Sequence, residues 1–270
     1  MRLTFLVNYD LAALLALNHL LPACKQHDVS VFYTRKTPSP NEYSFQSAKQ
    51  PTAQPKTQSK TYPTALQNLA VFEANVLTED TRLANFSDLG AIELNDINGA
   101  NFQTFTASAP DLVVSIRHMS ILKSPVIEVP KLGVINLHSG LLPGYQGVMS
   151  TFRAMVNGDV NLGTTLHFIK DASIDSGPII AQSKTLARYD KSYLWNVLNL
   201  YRDGCTNVLT AIDSVAKGEV LQAKSQEGEA EYFTYPSDDE IDAAPFRLFE
   251  DNESLPQYHS QHNAVYCSRG

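Results

Sequence analysis

Short apolar runs separated by polar turns open the chain, and their spacing predicts alternating strands and helices. Leu3 to Val7 is a continuous apolar-rich run of strand length, the mark of a buried strand. Asn8-Tyr9-Asp10 reads as a turn, with Asp10 placed to cap a helix. Leu11 to Cys24 is that helix, apolar nearly all round, as in a helix pressed onto a sheet with little face toward water. Val29 to Thr34 gives a second strand, and the order strand, helix, strand favours a parallel sheet. Residues 64–77 predict a helix, and Asp111 to Ile116 another buried strand after Ala109-Pro110. Ser150 to Asn157 predicts a helix closed by Gly158. Thr164 to Ile169 reads as a half-buried strand and Ile179 to Ala187 as a further strand. Ser192 to Ala216 is a long amphipathic helix stopped near Gly218. There is no internal repeat.

The expected fold is therefore α/β: a mostly parallel twisted sheet of roughly six or seven strands flanked by helices, with Val134 to Leu137 central. Residues 35–63 interrupt the pattern with Pro38, Pro40, Pro51, Pro55 and Pro63 among Gln, Ser, Thr and Lys, a composition too polar to offset the entropy of ordering it. The predicted organisation is a main unit over 1–220, containing this 35–63 insertion, and an acidic C-terminal extension over 221–270.

The 270 residues, 43% of them hydrophobic, suffice to fill a core. No run of eighteen apolar residues occurs, and Arg2 is followed at once by the first strand, so neither a membrane span nor a signal peptide is expected. A cytoplasmic setting is expected on that ground, and Cys24, Cys205 and Cys267, odd in number and without metal-ligand spacing, predict reduced thiols and no metal site. Twenty-eight acids against 21 bases give a net charge of −7, which repels polyanions. The first turn lacks the G-x-G-x-x-G fingerprint of dinucleotide sites.

Candidate chemistry concentrates in Gly133-Val134-Ile135-Asn136-Leu137-His138-Ser139-Gly140-Leu141-Leu142-Pro143-Gly144-Tyr145-Gln146-Gly147. In extended chain Asn136 and His138 project to one face while Leu137 points to the other. Pro143, Gly144 and Gly147 then force a loop, where α/β proteins usually place their chemistry. A second stretch runs from Gly163 to Ile180 and contains Asp175 two residues ahead of Gly177.

Asn-x-His followed by a Leu-Leu-Pro loop ending in Gly, and some three dozen residues later an Asp ahead of a Gly, resembles the folate-dependent formyltransferase family. The resemblance covers roughly residues 110–215, and its two motifs agree in content, order and spacing. It implies a formyltransferase-type Rossmann-like domain that moves a formyl group from 10-formyltetrahydrofolate to an amine, with Asn136, His138 and Asp175 catalytic and no metal required. Asn136 and a protonated His138 would stabilise the oxyanion that forms. Asp175 would orient the imidazole and accept the amine's proton. The loop Arg117-His118-Met119-Ser120-Ile121-Leu122-Lys123 would run along the pterin, with Phe168 and Asp171 completing the folate pocket. His167, one strand position before Phe168, reads as structural or pocket-lining.

The expected acceptor is a small-molecule amine, with no nucleic acid and no membrane partner, and a homodimer is left open. A tRNA acceptor is disfavoured by the charge and by the acidic residues, Asp238 to Glu253, where the tRNA-acting members carry a basic domain. A formyltetrahydrofolate hydrolase and a silent folate-binding module are the alternatives. Gln146 stands where many members carry Arg, which leaves the identity of the acceptor open. The 35–63 insertion is either a spacer or a flap over the acceptor side.

Overall fold

The computed structural model describes residues 1–35, 62–79, 83–251 and 253–256; residues 36–61 of the expected insertion and Cys267 lie outside them. In chain order the elements are β1 (Arg2–Asn8), α1 (Leu11–Leu20), β2 (Asp28–Thr34), α2 (Thr64–Glu79), β3 (Ile92–Glu93), α3 (Phe102–Ala107), β4 (Leu112–Ile116) and α4 (Ser124–Ile127). The second half comprises β5 (Val134–His138), β6 (Gln146–Gly147), α5 (Ser150–Val156), β7 (Asn161–Ile169), β8 (Ile179–Leu186), α6 (Tyr193–Ala216), β9 (Tyr232–Phe233) and α7 (Asp238–Asp242).

Seven strands form one sheet in the order β3–β2–β1–β4–β5–β7–β8. The pairs from β3 to β5 are parallel, whereas β5–β7 and β7–β8 are antiparallel. β5 lies inside the sheet, next to the middle strand β4. The parallel strands put Asp10 after β1, Arg117 after β4 and Ser139 after β5 on one edge of the sheet.

Alternate residues of each central strand feed two cores. Phe5, Val7, Val114, Ile116, Ile135 and Leu137 face α1 and α6, while Leu6, Val113 and Val134 face Phe105, Leu122 and Val126. With both faces covered, β7 is buried from Leu162 to His167 rather than half-buried: α6 packs along it on one side. Gly204 makes the close approach of α6 possible, since a Cβ there would lie 2.8 Å from Thr164 Oγ1 and 3.1 Å from Leu137 Cδ1.

Asp10 caps α1 as expected, its Oδ1 accepting the Ala13 N–H at 2.9 Å, a contact that contributes about 1 kcal/mol. The helix itself is shorter than its apolar run. It ends at Leu20, and Leu21–Cys24 continues as a 3₁₀ turn with Pro22 inside it, because Pro lacks the N–H that the next α-turn needs. The segment after α6 folds back on the main unit: β9 pairs with β6, and the backbone of Arg247 and Leu248 bonds the start of α6. Cys24 and Cys205 are buried free thiols. Among the described residues no helix is long and apolar enough to cross a membrane.

Candidate functional site

The end of β5, the loop 139–149 and the turn 171–177 meet at the carboxyl edge of the parallel strands. Asn136 pairs across the antiparallel seam with His167, so strand register alone sets these two side chains side by side. The Phe168 carbonyl oxygen lies 3.0 Å from His167 Nδ1, and a carbonyl can only accept, so Nδ1 carries hydrogen. In the neutral ring Nε2 is then the acceptor, and it takes the Asn136 Nδ2–H at 3.1 Å. His167 thereby orients the Asn136 carboxamide.

His138 is anchored in the same way. Its Nε2 donates to the Tyr145 carbonyl oxygen at 2.7 Å and stands 3.1 Å from Ser150 Oγ. Its Nδ1 faces Asp175 Oδ2 at 3.4 Å. The second proton that the ring takes up therefore falls opposite a carboxylate. Gly140 provides the room, because a Cβ there would come within 2.7 Å of His138 Nε2.

Asp175 closes the cluster with only 11% of its side chain exposed. Oδ2 accepts the Gly147 N–H at 2.9 Å; Oδ1 lies 3.4 Å from His167 Nε2 and 3.5 Å from Asn136 Nδ2. Burial opposes ionisation of this carboxyl. The charge of His138, the contact with His167 and the Gly147 N–H outweigh it and hold Asp175 below the usual carboxylate range. The cluster thus contains a fixed negative group, a carboxamide donor and an imidazole. Its three longest contacts, at 3.4 to 3.5 Å, are the ones a ligand group could most readily replace.

The loop after β4 runs beside this cluster, and its side chains are used in several ways. Arg117 has φ +59, which turns its guanidinium to Asp10, with Nε donating to Oδ2 at 2.8 Å. Burial disfavours its charge, but Asp10, with smaller help from Tyr201, Tyr193 and Glu73, keeps Arg117 protonated well above its ordinary range. His118 Nδ1 lies 3.4 Å from the Val7 carbonyl oxygen, and the Met119 N–H reaches Thr34 Oγ1 at 3.4 Å. Asn98 ties the far end, donating to the Ile121 carbonyl oxygen at 2.8 Å and accepting from the Lys123 N–H at 3.0 Å. Leu122 is buried in the second core.

Across the cluster, Phe168 lies under the Lys170 ammonium at 4.3 Å, and Asp171 Oδ1 accepts the Ser173 N–H at 2.7 Å. The structure thus brings Asn136, His138 and Asp175 together, adds His167 to them, and sets the Arg117–Lys123 loop on the neighbouring strand. Sequence reasoning did not single out Glu73, whose Oε1 accepts the Leu11 N–H at 3.3 Å. Burial first, and then the Asp10 charge, push its carboxyl up to about 8 against the pull of Arg117 and that N–H.

Fold and cluster define a class: an α/β domain whose polar side chains collect at the carboxyl edge of its parallel strands. Comparison supplies the family. Residues 41–194 match the sequence model described as Formyl transferase, and the chain belongs to that family. A methionyl-tRNA formyltransferase of Fusobacterium nucleatum is 35% identical over 126 residues, which are 47% of this chain and 40% of the relative. The chain therefore spans about two fifths of that relative's length. Among solved structures, a sugar N-formyltransferase from a Shewanella species superposes with a TM-score of 0.55 at 15% identity, covering 90% of this chain and 79% of that one. An N-formyltransferase from Helicobacter canadensis, solved with folinic acid and dTDP-3-aminofucose, gives 0.51 at 19% identity, covering 88% and 71%.

Proposed function

We propose that this chain transfers a formyl group from 10-formyltetrahydrofolate to the amine of a small-molecule acceptor, with Asn136, His138 and Asp175 as the catalytic residues. One observation carries the reading: in a chain of the formyl transferase family, these three side chains meet in a single hydrogen-bonded cluster at the end of β5. The folate donor is supported by the Helicobacter canadensis structure, which has the same fold and holds folinic acid. Arg117 to Lys123 with Phe168 and Asp171 form the proposed folate pocket, the loop presenting backbone groups and Phe168 an aromatic face.

When bound, the donor supplies an electrophilic formyl carbon on a nitrogen that can leave. Attack by the amine forms a carbon–nitrogen bond and builds negative charge on the formyl oxygen. Asn136 directs an Nδ2–H to that oxygen, giving up its 3.5 Å contact with Asp175. His138 assists from the imidazolium form, whose charge lies beside the developing oxyanion. Asp175, held ionised, takes the proton that the amine must shed and passes it toward the departing folate nitrogen. His167 keeps the carboxamide of Asn136 turned the right way throughout.

The net charge of −7 favours a small acceptor over a polyanion. A tRNA acceptor is the second reading, favoured by the Fusobacterium relative. Release of tetrahydrofolate, followed with a panel of nucleotide-linked amino sugars, hydroxylated ornithine and methionyl-tRNA, tests both. Formate release with no amine present, at a rate that amines do not raise, would turn the proposal into a hydrolase.

A further inference from the structure

The chain beyond α6 returns to the site and meets the Asp175 turn through one side chain. Asp175 stands at φ +50, a left-handed conformation that a residue with a Cβ adopts only when its surroundings hold it there. Gln226 supplies part of that hold from outside the cluster. Its Nε2 donates to the carbonyl oxygens of Asp175 at 2.7 Å and Gly177 at 2.9 Å, which occupies both amide hydrogens. Its Oε1 accepts from Gln146 Nε2 at 3.4 Å, and Gln146 Nε2 also reaches the Asp175 carbonyl oxygen at 3.3 Å. Gln146 is buried, and its own N–H donates to the Glu231 carbonyl oxygen at 2.8 Å. Little slack remains around this tie. A Cβ on Gly177 would fall 1.7 Å from the Phe168 carbonyl oxygen, and one on Gly147 would fall 2.2 Å from that of Phe233.

We infer that Gln226 is a positioning residue for Asp175: its carboxamide, held between two carbonyl oxygens and Gln146, sets the turn from which the Asp175 carboxylate reaches His138 and His167. A carboxamide suits the place because it presents two N–H donors and one acceptor at a single end. Leucine keeps much of the volume but removes the Gln226 donor from both carbonyl oxygens, leaving that of Asp175 with the longer bond from Gln146 at 3.3 Å. A glutamate carboxylate would face two carbonyl oxygens and regains one donor only when protonated. The consequence for rate rests on the proposed formyl transfer, whereas the placing of Asp175 can be measured without any turnover.

The test compares wild type with Gln226→Leu and Gln226→Glu by kcat, KM for donor and amine, pH–rate profile and melting temperature. Gln226→Leu should lower kcat about ten- to a hundredfold, the effect of a small misplacement of a catalytic group, with KM for the donor near wild type. The defect of Gln226→Glu should deepen as pH rises through the carboxyl range. NMR titration should find the His138 and His167 imidazoles shifted in both variants, and the side-chain amide protons of wild-type Gln226 should exchange slowly with deuterium. Folded variants with wild-type kcat and histidine titrations, or a Gln226 amide that exchanges as fast as one free in water, would overturn the inference. A lower melting temperature alone would overturn it as well. If variants fail to fold, amide exchange in wild type decides. If wild type formylates no amine, the functional reading falls, and exchange and titration still decide the role of Gln226.

Discussion

Replacing Asp175 with Asn is the sharpest perturbation of the cluster. The carboxylate accepts from the Gly147 N–H at 2.9 Å and faces His138 Nδ1 and His167 Nε2, each at 3.4 Å, and Asn136 Nδ2 at 3.5 Å. An Asn that keeps its oxygen toward Gly147 and His138 turns its own NH₂ toward the NH₂ of Asn136, two donors competing for the one acceptor, His167 Nε2. A hydrogen bond to a charged group contributes about 1.5–3 kcal/mol, and removing one partner of a buried pair costs about 3–5 kcal/mol. The retained Gly147 bond reduces this to about 2–4 kcal/mol at neutral pH. The pH dependence follows from the direction of the Asp175 shift. A carboxyl held below its unfolded value contributes fully above that value, about 4, and loses the contribution as pH falls through the lower folded value. Urea unfolding, followed by fluorescence of the single tryptophan, Trp195, should therefore find the gap between wild type and Asp175→Asn widest above about pH 5 and narrowing in acid. A gap that is absent at neutral pH, or that stays constant through the acid range, would refute the account of how Asp175 is held.

Three further outcomes follow from the same geometry. Asn136→Ala and His138→Ala should each lower kcat by about two or more orders of magnitude while donor binding survives, the loss expected for an oxyanion donor; a rise in KM with kcat intact, in steady-state assays, would point to binding instead. Glu73→Gln keeps the oxygen that accepts the Leu11 N–H and removes a carboxyl whose folded value is raised to about 8. A raised acid costs stability as pH climbs from its unfolded value to its folded one, so the variant should gain on wild type between about pH 4.5 and 8 in denaturation experiments, and a gap independent of pH would contradict the assigned burial. Gly147→Ala sets a Cβ against the Phe233 carbonyl oxygen at φ +92, and should destabilise the fold by at least about 1–2 kcal/mol, with β9 displaced from β6 in its crystal structure.

Much of this architecture was legible because buried parallel strands announce themselves as continuous apolar runs. Leu3–Val7 and Val134–Leu137 lie within strands of the sheet, and Asp111–Ile116 does so from Leu112 onward. The pairing of Asn136 with His138 on one strand face needed only the two-residue period of extended chain. Other features carry no period. β3, β6 and β9 are two residues each, too short to alternate. The burial of Thr164 and His167 comes from α6 and the neighbouring strands, so a polar residue in an alternating run misleads when both faces are covered. Glu73 looks like a solvent position on a helix until Asp10 and Arg117 arrive from beyond the ends of β1 and β4. Gln226 sits in a polar stretch without pattern, and only the return of the chain after α6 brings it to Asp175.

The central claim is that the cluster at the end of β5 moves a formyl group from folate to an amine. Its most direct test is to load the protein with 10-formyltetrahydrofolate carrying an isotopic label in the formyl group and to add the amine panel under single-turnover conditions. The account predicts that the label appears in the amide of one acceptor at the rate tetrahydrofolate is released, and that this transfer is lost in Asn136→Ala. Label recovered only as free formate, or transferred equally well by the Asn136→Ala protein, would contradict it.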